Sequence, residues 1–355
     1  MNKLPSMIFA ALVALLRGVS VVYGVDAPIS VDKGQLDGAL YAVAKPKEWN
    51  GKLLLQQHGL TDGSQPLSVE INTKSEPYQS LLSEGWMISV SSYRRSGFIV
   101  RDAIEDVRNL HRHIVATYGK PKRTLLMGGS MGGAITIRLI ESDPVTFHGG
   151  IVLGSALLVR EPDLPDLGFS VKVPVIFMTN QSEADQSAGY VKTAATNGVK
   201  PALWIVERDG HVKFSGPEYL AVVHALDGWV DGGKIEMEKK FALAVKEPPS
   251  TARFADGSAQ GTVREIAGGY GNLNVSFVEA DFKQLGIALR DVFLVEHNGN
   301  RHETTYANTF FDVPPGKWVC FKDADGYHVI AINFGNAAKT VAVEVGDSIT
   351  IRKKQ

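Results

Sequence analysis

Thr124-Leu-Leu-Met127-Gly128-Gly129-Ser130-Met131-Gly132-Gly133-Ala134-Ile-Thr-Ile-Arg-Leu-Ile140 reads as a short apolar strand, a glycine-rich turn and the start of a helix. It holds the one Gly-x-Ser-x-Gly in the chain, in the strand–turn–helix setting that lifts a serine above a sheet edge. So sharp a turn strains the backbone at Ser130, and side chains two residues before and after it would collide; Gly128 and Gly132 supply the missing bulk. Ser130 then sits at the N-terminus of a helix, where developing negative charge is favoured. No Gly-Lys-Ser/Thr follows, which excludes a phosphate loop.

Outward from this turn, residues 51–229 alternate apolar runs with helical patterns, the signature of a mostly parallel sheet flanked by helices. Strands are expected over 52–56, 86–91, 124–127, 150–153, 173–179 and 202–207, and helices over 76–83, 100–118 and 134–141. The longest helix carries Ile104, Val107, Leu110, Ile114 and Val115 at helical spacing, with Asp102, Glu105 and Asp106 crowding its N-terminal end.

A serine nucleophile needs a base and an acid, expected in the chain order serine, acid, base. The strand at 173–179 is followed by Glu183 and Asp185; spacing favours the first, residue type the second, and Glu183 is placed slightly ahead. The strand at 202–207 is followed by Arg208-Asp209-Gly210-His211, which presents His211 where a general base belongs. The backbone N–H groups of Met131 and of Leu60, in Gln57-His58-Gly59-Leu60, are the expected donors to a tetrahedral oxyanion. His58 and Gly59 are expected to shape the substrate site rather than to act as base, since His58 precedes the serine. Arg94, just after a strand on the same edge, is a candidate contact for a substrate carboxylate.

At 355 residues two domains are expected. Past Gly232-Gly233 the chain turns charged and proline-bearing, reading as a tether over 233–257 between a domain at 26–232 and a glycine-punctuated, strand-rich domain at 258–355. The fold class is therefore α/β with a second, smaller β-rich domain. Residues 1–25 pair Lys3 with an apolar run and small residues near Gly24, as an export signal does; Arg17 breaks the run short of a spanning helix, so a secreted or periplasmic protein without a stable membrane anchor is expected. A net charge of −1 offers nothing to a nucleic acid. One cysteine, Cys320, rules out an intrachain disulfide and a cysteine-based zinc cluster; its strand-like surroundings make it a buried structural thiol.

Taken together, the serine turn, Ser92-Tyr-Arg-Arg-Ser-Gly97, Asp102-Ala-Ile-Glu-Asp106 and Gly119-Lys-Pro-Lys-Arg123 resemble the bacterial esterase-like members of the α/β-hydrolase superfamily, over about residues 40–232. The segment between Gly154 and Val173, where many members insert a helical cap, is short. Gly269-Tyr-Gly-Asn272-Leu-Asn274, Thr305-Tyr306-Ala307, Ala331-Ile-Asn333-Phe-Gly335-Asn336-Ala337-Ala338 and Val345-Gly-Asp347 are similar to the C-terminal domain of S-adenosylmethionine hydroxide adenosyltransferases. That resemblance implies a pocket lined by Tyr270, Asn272, Asn336 and Ala337, and an association of subunits through this domain. That family's own N-terminal domain is replaced here by the hydrolase-like region, so the domain is expected to serve as a substrate-recognition lobe, a cover over the Ser130 cleft or an oligomerisation module.

These readings converge on a carboxylic ester hydrolase acting on a small-molecule ester, with no metal or organic cofactor required. A serine peptidase of the same fold and a nucleoside-binding module with an inactive hydrolase domain remain the alternatives. His297 and His302 flank Asn298-Gly-Asn300 and read as a hairpin, and Asp323-Ala-Asp325-Gly326 is too short for a calcium loop and suits a turn.

Overall fold

A computed structural model of the chain describes residues 29–61, 66–267 and 271–354; the export segment expected over 1–25, and Tyr270, lie outside the described residues. Strand side chains alternate between the two faces of a sheet, and here that alternation sorts the apolar runs into two cores. Leu53, Leu55, Leu126, Val152 and Phe177 pack on one face, Leu54, Leu125, Ile151, Ile176 and Met178 on the other. Each fully buried side chain of this kind contributes about 1.5–3 kcal/mol relative to exposure.

The strands are β1 (Ser30–Leu36), β2 (Ala39–Lys45), β3 (Lys52–Gln57), β4 (Met87–Ser91), β5 (Arg123–Gly129), β6 (Gly149–Leu153), β7 (Val175–Asn180), β8 (Ala202–Val206) and β9 (Glu238–Phe241). They lie in the order β1-β2-β4-β3-β5-β6-β7-β8-β9, parallel from β4 to β9, with β1 and β2 antiparallel at one edge. Helices α2 (Val100–Tyr118), α3 (Met131–Ser142) and α4 (Ala184–Ala194) cover the first face; α1 (Glu76–Ser83) and α5 (Gly216–Val230) cover the second. This is the mostly parallel, helix-flanked sheet expected from the sequence, and its strand ends place the serine turn, the acid loop and the histidine loop along one edge. Between Gly154 and Val173 no helix forms. Among the described residues no helix is long and apolar enough to cross a membrane.

The second domain contains β10 (Arg253–Ala255), β11 (Ser258–Ile266), β12 (Leu273–Val278), α6 (Glu279–Gln284), β13 (Val292–His297), β14 (Asn300–Ala307), β15 (Trp318–Lys322), β16 (Tyr327–Ile332), α7 (Ala337–Val341) and β17 (Ser348–Lys353). Strands run β11-β12-β16-β15-β14-β13-β17, and β17 pairs back onto β11, closing a seven-stranded barrel with β10 appended. Closure removes exposed edges, and Phe277, Phe282, Phe293, Cys320, Ile330 and Ile351 fill the interior. Cys320 is fully buried, and desolvation pushes its thiol well above the ordinary range, as suits a structural residue. His297-Asn298-Gly299-Asn300 forms the β13–β14 hairpin turn, although His297 itself is buried and its Nδ1 bonds the Ser348 carbonyl at 2.9 Å.

The tether expected over 233–257 is shorter than the sequence suggests. Glu238–Phe241 is an edge strand of the main sheet, with Leu203 N–H donating to the Met237 carbonyl and Glu207 N–H to the Phe241 carbonyl, both at 2.8 Å. Its charged side chains resemble a linker because an edge strand needs only its backbone, not an apolar face, to join a ladder. Residues 253–255 already belong to the barrel sheet.

Candidate active site

Ser130 ends β5 and caps α3 at φ 54° and ψ −121°, a conformation that costs a non-glycine residue about 1–3 kcal/mol. The strain persists because the neighbours over-determine it. Ser130 N–H donates to the Leu153 carbonyl at 2.9 Å, and the Ser130 carbonyl accepts from Gly133 and Ala156 at 3.1 and 3.3 Å. A Cβ at Gly132 would overlap the Gln57 carbonyl oxygen, so the helix can enter this close to β3 only on glycine. Met131 starts α3, and its N–H is among those that a helix leaves without an intrahelical partner.

His211 lies in the loop after β8, and that loop is clamped to the one after β7. Asn180, fully buried, receives Lys213 N–H on its Oδ1 at 2.7 Å and donates from Nδ2 to the Lys213 carbonyl at 3.0 Å. Ser182 Oγ accepts Gly210 N–H at 3.0 Å. Between these clamps Glu183 divides its carboxylate: Oε2 lies 2.5 Å from His211 Nδ1, and Oε1 accepts Val212 N–H at 3.0 Å. A carboxylate partner on Nδ1 makes that nitrogen the donor and leaves Nε2 to accept a proton. Gly154 also has its reason here: a Cβ on it would collide with Glu183 Oε1.

Asp185, the other candidate acid, is exposed in the first turn of α4, with no hydrogen bond or ion pair among the described residues. One cavity of about 1470 Å³ is lined by Ser130 and His211 together with His58, Gly59 and Leu60. That exceeds the about 300–1,000 Å³ usual for a small-molecule pocket. No hydrogen bond joins the Ser130 hydroxyl to His211, a contact that commonly tightens only when substrate binds. His58 stacks on Tyr93 with ring centres 4.1 Å apart, and its Nδ1 donates to the Gly59 carbonyl at 2.7 Å. Burial pushes its pKa down, so it stays neutral at pH 7 without a carboxylate to orient it. Of the two imidazoles in the cavity, only His211 has the partner that a base requires.

Three of the expected contacts fall elsewhere. Arg94 is not on the cavity wall: its Nε and Nη2 bond Asp106 Oδ1 at 2.9 and 2.6 Å, and its N–H bonds Oδ2 at 2.8 Å. The buried Asp106 holds it as a strut between the β4 loop and α2. Asn336 caps α7 by accepting Lys339 N–H at 2.8 Å on its Oδ1, and Ala337 is fully buried in the barrel core; neither lines the cavity that contains Ser130. Asn272 does line a cavity, but it is the one containing Ser130.

The far wall of that cavity belongs to the barrel. Gly216 N–H donates to Asp325 Oδ1 at 3.0 Å, fastening the two domains beside the opening, and Lys322 pairs with Glu247 of the segment that connects them. Asp323 Oδ1 accepts the Asp325 and Tyr327 N–H groups at 2.9 Å, which is turn chemistry. The sequence reading did not anticipate Phe310 and Phe311, whose ring centres lie 6.4 and 5.8 Å from that of His211. It also missed Asn180 and Ser182; the polar run Asn180-Gln-Ser182 directly after a buried strand was the available signal.

Residues 266–350 match the family model of the SAM hydroxide adenosyltransferase C-terminal domain. No curated protein matches the chain. Among solved structures it is similar to a conserved protein from Thermotoga maritima, at 23% identity and a TM-score of 0.28 over 41% of this chain; the chain spans about half, 55%, of that protein's length. It is also similar to an esterase from Pyrococcus furiosus, at 14% identity and a TM-score of 0.41 over 58% of this chain and 90% of that one. An acylaminoacyl peptidase from Pyrococcus horikoshii matches at 14% identity and a TM-score of 0.42, over 52% of this chain and 38% of that one.

Proposed function

We propose that this protein is a serine hydrolase that cleaves carboxylic esters through an acyl-enzyme. The observation that carries the reading is the His211–Glu183 pair, 2.5 Å apart, in the cavity that also contains the strained Ser130. Ser130 Oγ attacks the ester carbonyl while His211 Nε2 takes its proton. Glu183 holds the ring through Nδ1–H and stabilises the imidazolium. The Met131 and Leu60 N–H groups receive the negative charge of the tetrahedral intermediate, which collapses as His211 returns the proton to the departing alcohol. Water then repeats the sequence on the acyl-enzyme and regenerates Ser130.

An ester is favoured over an amide because its carbonyl is less stabilised by resonance and an alkoxide is expelled more easily than an amide anion. The test is fluorophosphonate labelling together with a panel of p-nitrophenyl esters and aminoacyl-nitroanilides. Labelling of Ser130 with turnover of the esters is expected; a folded, unlabelled protein would sink the serine-hydrolase reading, and exclusive turnover of anilides would move it to a peptidase.

The acid assignment gives a sharper contrast. Glu183→Gln keeps the shape but no longer stabilises His211 as a cation, and kcat/KM is expected to fall on the order of 10³- to 10⁴-fold. Asp185→Asn, at an exposed position, is expected to stay within about twofold of the parent. Comparable losses in both variants would remove Glu183 from its role.

A further inference from the structure

We infer that the barrel domain sets the leaving-group specificity of this site: Phe310 and Phe311 form an aromatic wall for the alcohol portion of the ester, and the substrates are esters of aromatic or similarly bulky apolar alcohols. The inference rests on the serine-hydrolase reading above and adds to it the half of the substrate that the second domain recognises.

Three observations converge. The first is position. The two rings stand edge-on to His211, at interplanar angles of 70° and 63°. In ester cleavage the base hands its proton to the departing oxygen, so the alcohol leaves past the imidazole. A side chain packed against that imidazole therefore flanks the alcohol.

The second is rigidity. The rings sit on a single 3-10 turn, Phe310–Asp312, held at both ends. Thr309 Oγ1 accepts Phe311 N–H at 3.1 Å, and Asp312 Oδ2 accepts the Asn308 and Thr309 N–H groups at 2.9 and 3.1 Å. Phe310 is wedged between Phe311, with ring centres 4.1 Å apart, and Phe321 at 6.4 Å. A wall fixed in this way loses little conformational entropy when a ligand packs on it.

The third is unused apolar surface. Phe311 remains 56% exposed and Phe334 59% exposed, and both line the cavity that holds Ser130. Side chains held in place but left wet on a cavity wall mark a surface that an apolar ligand covers. No helical cap over residues 154–173 competes for this position.

The test separates alcohol size from chemistry by comparing benzyl acetate with ethyl acetate. Both deliver the same acetyl group, and the two alcohols are of similar acidity, so kcat/KM for acetate release isolates recognition of the leaving group. The parent protein is expected to prefer the benzyl ester by roughly tenfold or more, the discrimination typical of an apolar pocket. Phe311→Ala is expected to reduce that preference about tenfold without altering the preference between p-nitrophenyl acetate and butyrate, which differ only on the acyl side. Phe311→Trp should retain it, and Val145→Ser, at an exposed position remote from the cavity, should not move it.

A parent without preference for the benzyl ester, or a Phe311→Ala variant that loses both acetates in equal proportion, would overturn the assignment. Fluorophosphonate labelling of the same samples keeps the two readings apart. Labelled protein with an unchanged ratio defeats the wall alone, whereas unlabelled parent protein defeats the catalytic reading on which it rests.

Discussion

Ester turnover is expected to fall on the order of 10⁴- to 10⁶-fold in kcat/KM when Ser130 is replaced by alanine, with the unfolding midpoint essentially unchanged. The loss is that large because the parts of a nucleophilic site act as a unit. Without the hydroxyl, the orientation of His211 by Glu183 has nothing to activate, and only binding and the backbone donors are left. Stability should barely respond, because alanine keeps the Cβ and hence the strain at φ 54°, and the Ser130 side chain contributes no hydrogen bond among the described residues. Ser130→Gly makes the complementary case. It relaxes the left-handed backbone and is expected to stabilise the fold by about 1 kcal/mol while remaining equally inactive. Denaturation curves of the two variants beside an ester assay check both halves. Residual turnover within tenfold of the parent in either variant would place the nucleophile elsewhere.

What the sequence made legible was whatever local physics dictates. Two glycines around a serine announce a turn that only small residues permit, and Ser130 is found in that turn with a positive φ. Helices α1 and α2 begin and end where the alternation of apolar and charged residues places them. Elements whose side chains face water are less visible. Strand β1, Ser-Val-Asp-Lys-Gly-Gln-Leu, lies largely exposed at the sheet edge and carries no apolar alternation, and β9 resembles a linker for the same reason. Helix α5 had a readable start, Ser215-Gly-Pro217-Glu218, with proline and glutamate in the first turn.

The choice between Glu183 and Asp185 lay beyond sequence, because both follow the same strand and only the path of the loop decides which carboxylate meets His211. The residues that the adenosyltransferase resemblance groups in one pocket have separate local duties: Asn336 Oδ1 caps α7, and Asn272 lines the cavity that contains Ser130. The aromatic pair at 310–311 had no signal at all. Nothing within a barrel strand–turn–strand segment says that its turn faces the edge of another domain that carries Ser130 and His211.

Glu218 tests how that edge is held together, and its removal carries the largest expected loss of stability. Its carboxylate is fully buried. Arg208 grips it with Nη1 on Oε2 at 2.8 Å and Nη2 on Oε1 at 3.1 Å, while Ser215 N–H and Leu243 N–H donate at 2.8 and 3.0 Å. Arg208 and Ser215 bracket the loop that presents His211, so one carboxylate anchors both ends of that loop and the chain emerging from β9. Glu218→Ala would leave two backbone donors without partners and the half-buried Arg208 guanidinium with the Lys213 carbonyl, which its Nη1 reaches at 3.1 Å, in place of a carboxylate, a loss of about 2–4 kcal/mol, against a total of about 5–15 kcal/mol for a typical domain. Burial alone would raise the Glu218 pKa; the Arg208 fork and the two N–H groups reverse this and hold it below the ordinary glutamate value. The folded chain therefore binds this proton more weakly than the unfolded chain does. The stabilisation is complete above the unfolded value of about 4.3 and is lost as the pH falls through the lower folded one. Urea titrations of the parent and Glu218→Gln at pH 7 and in mild acid should show the gap between them narrowing as the pH drops. If the gap stays constant, the ionised carboxylate is not what holds the histidine loop.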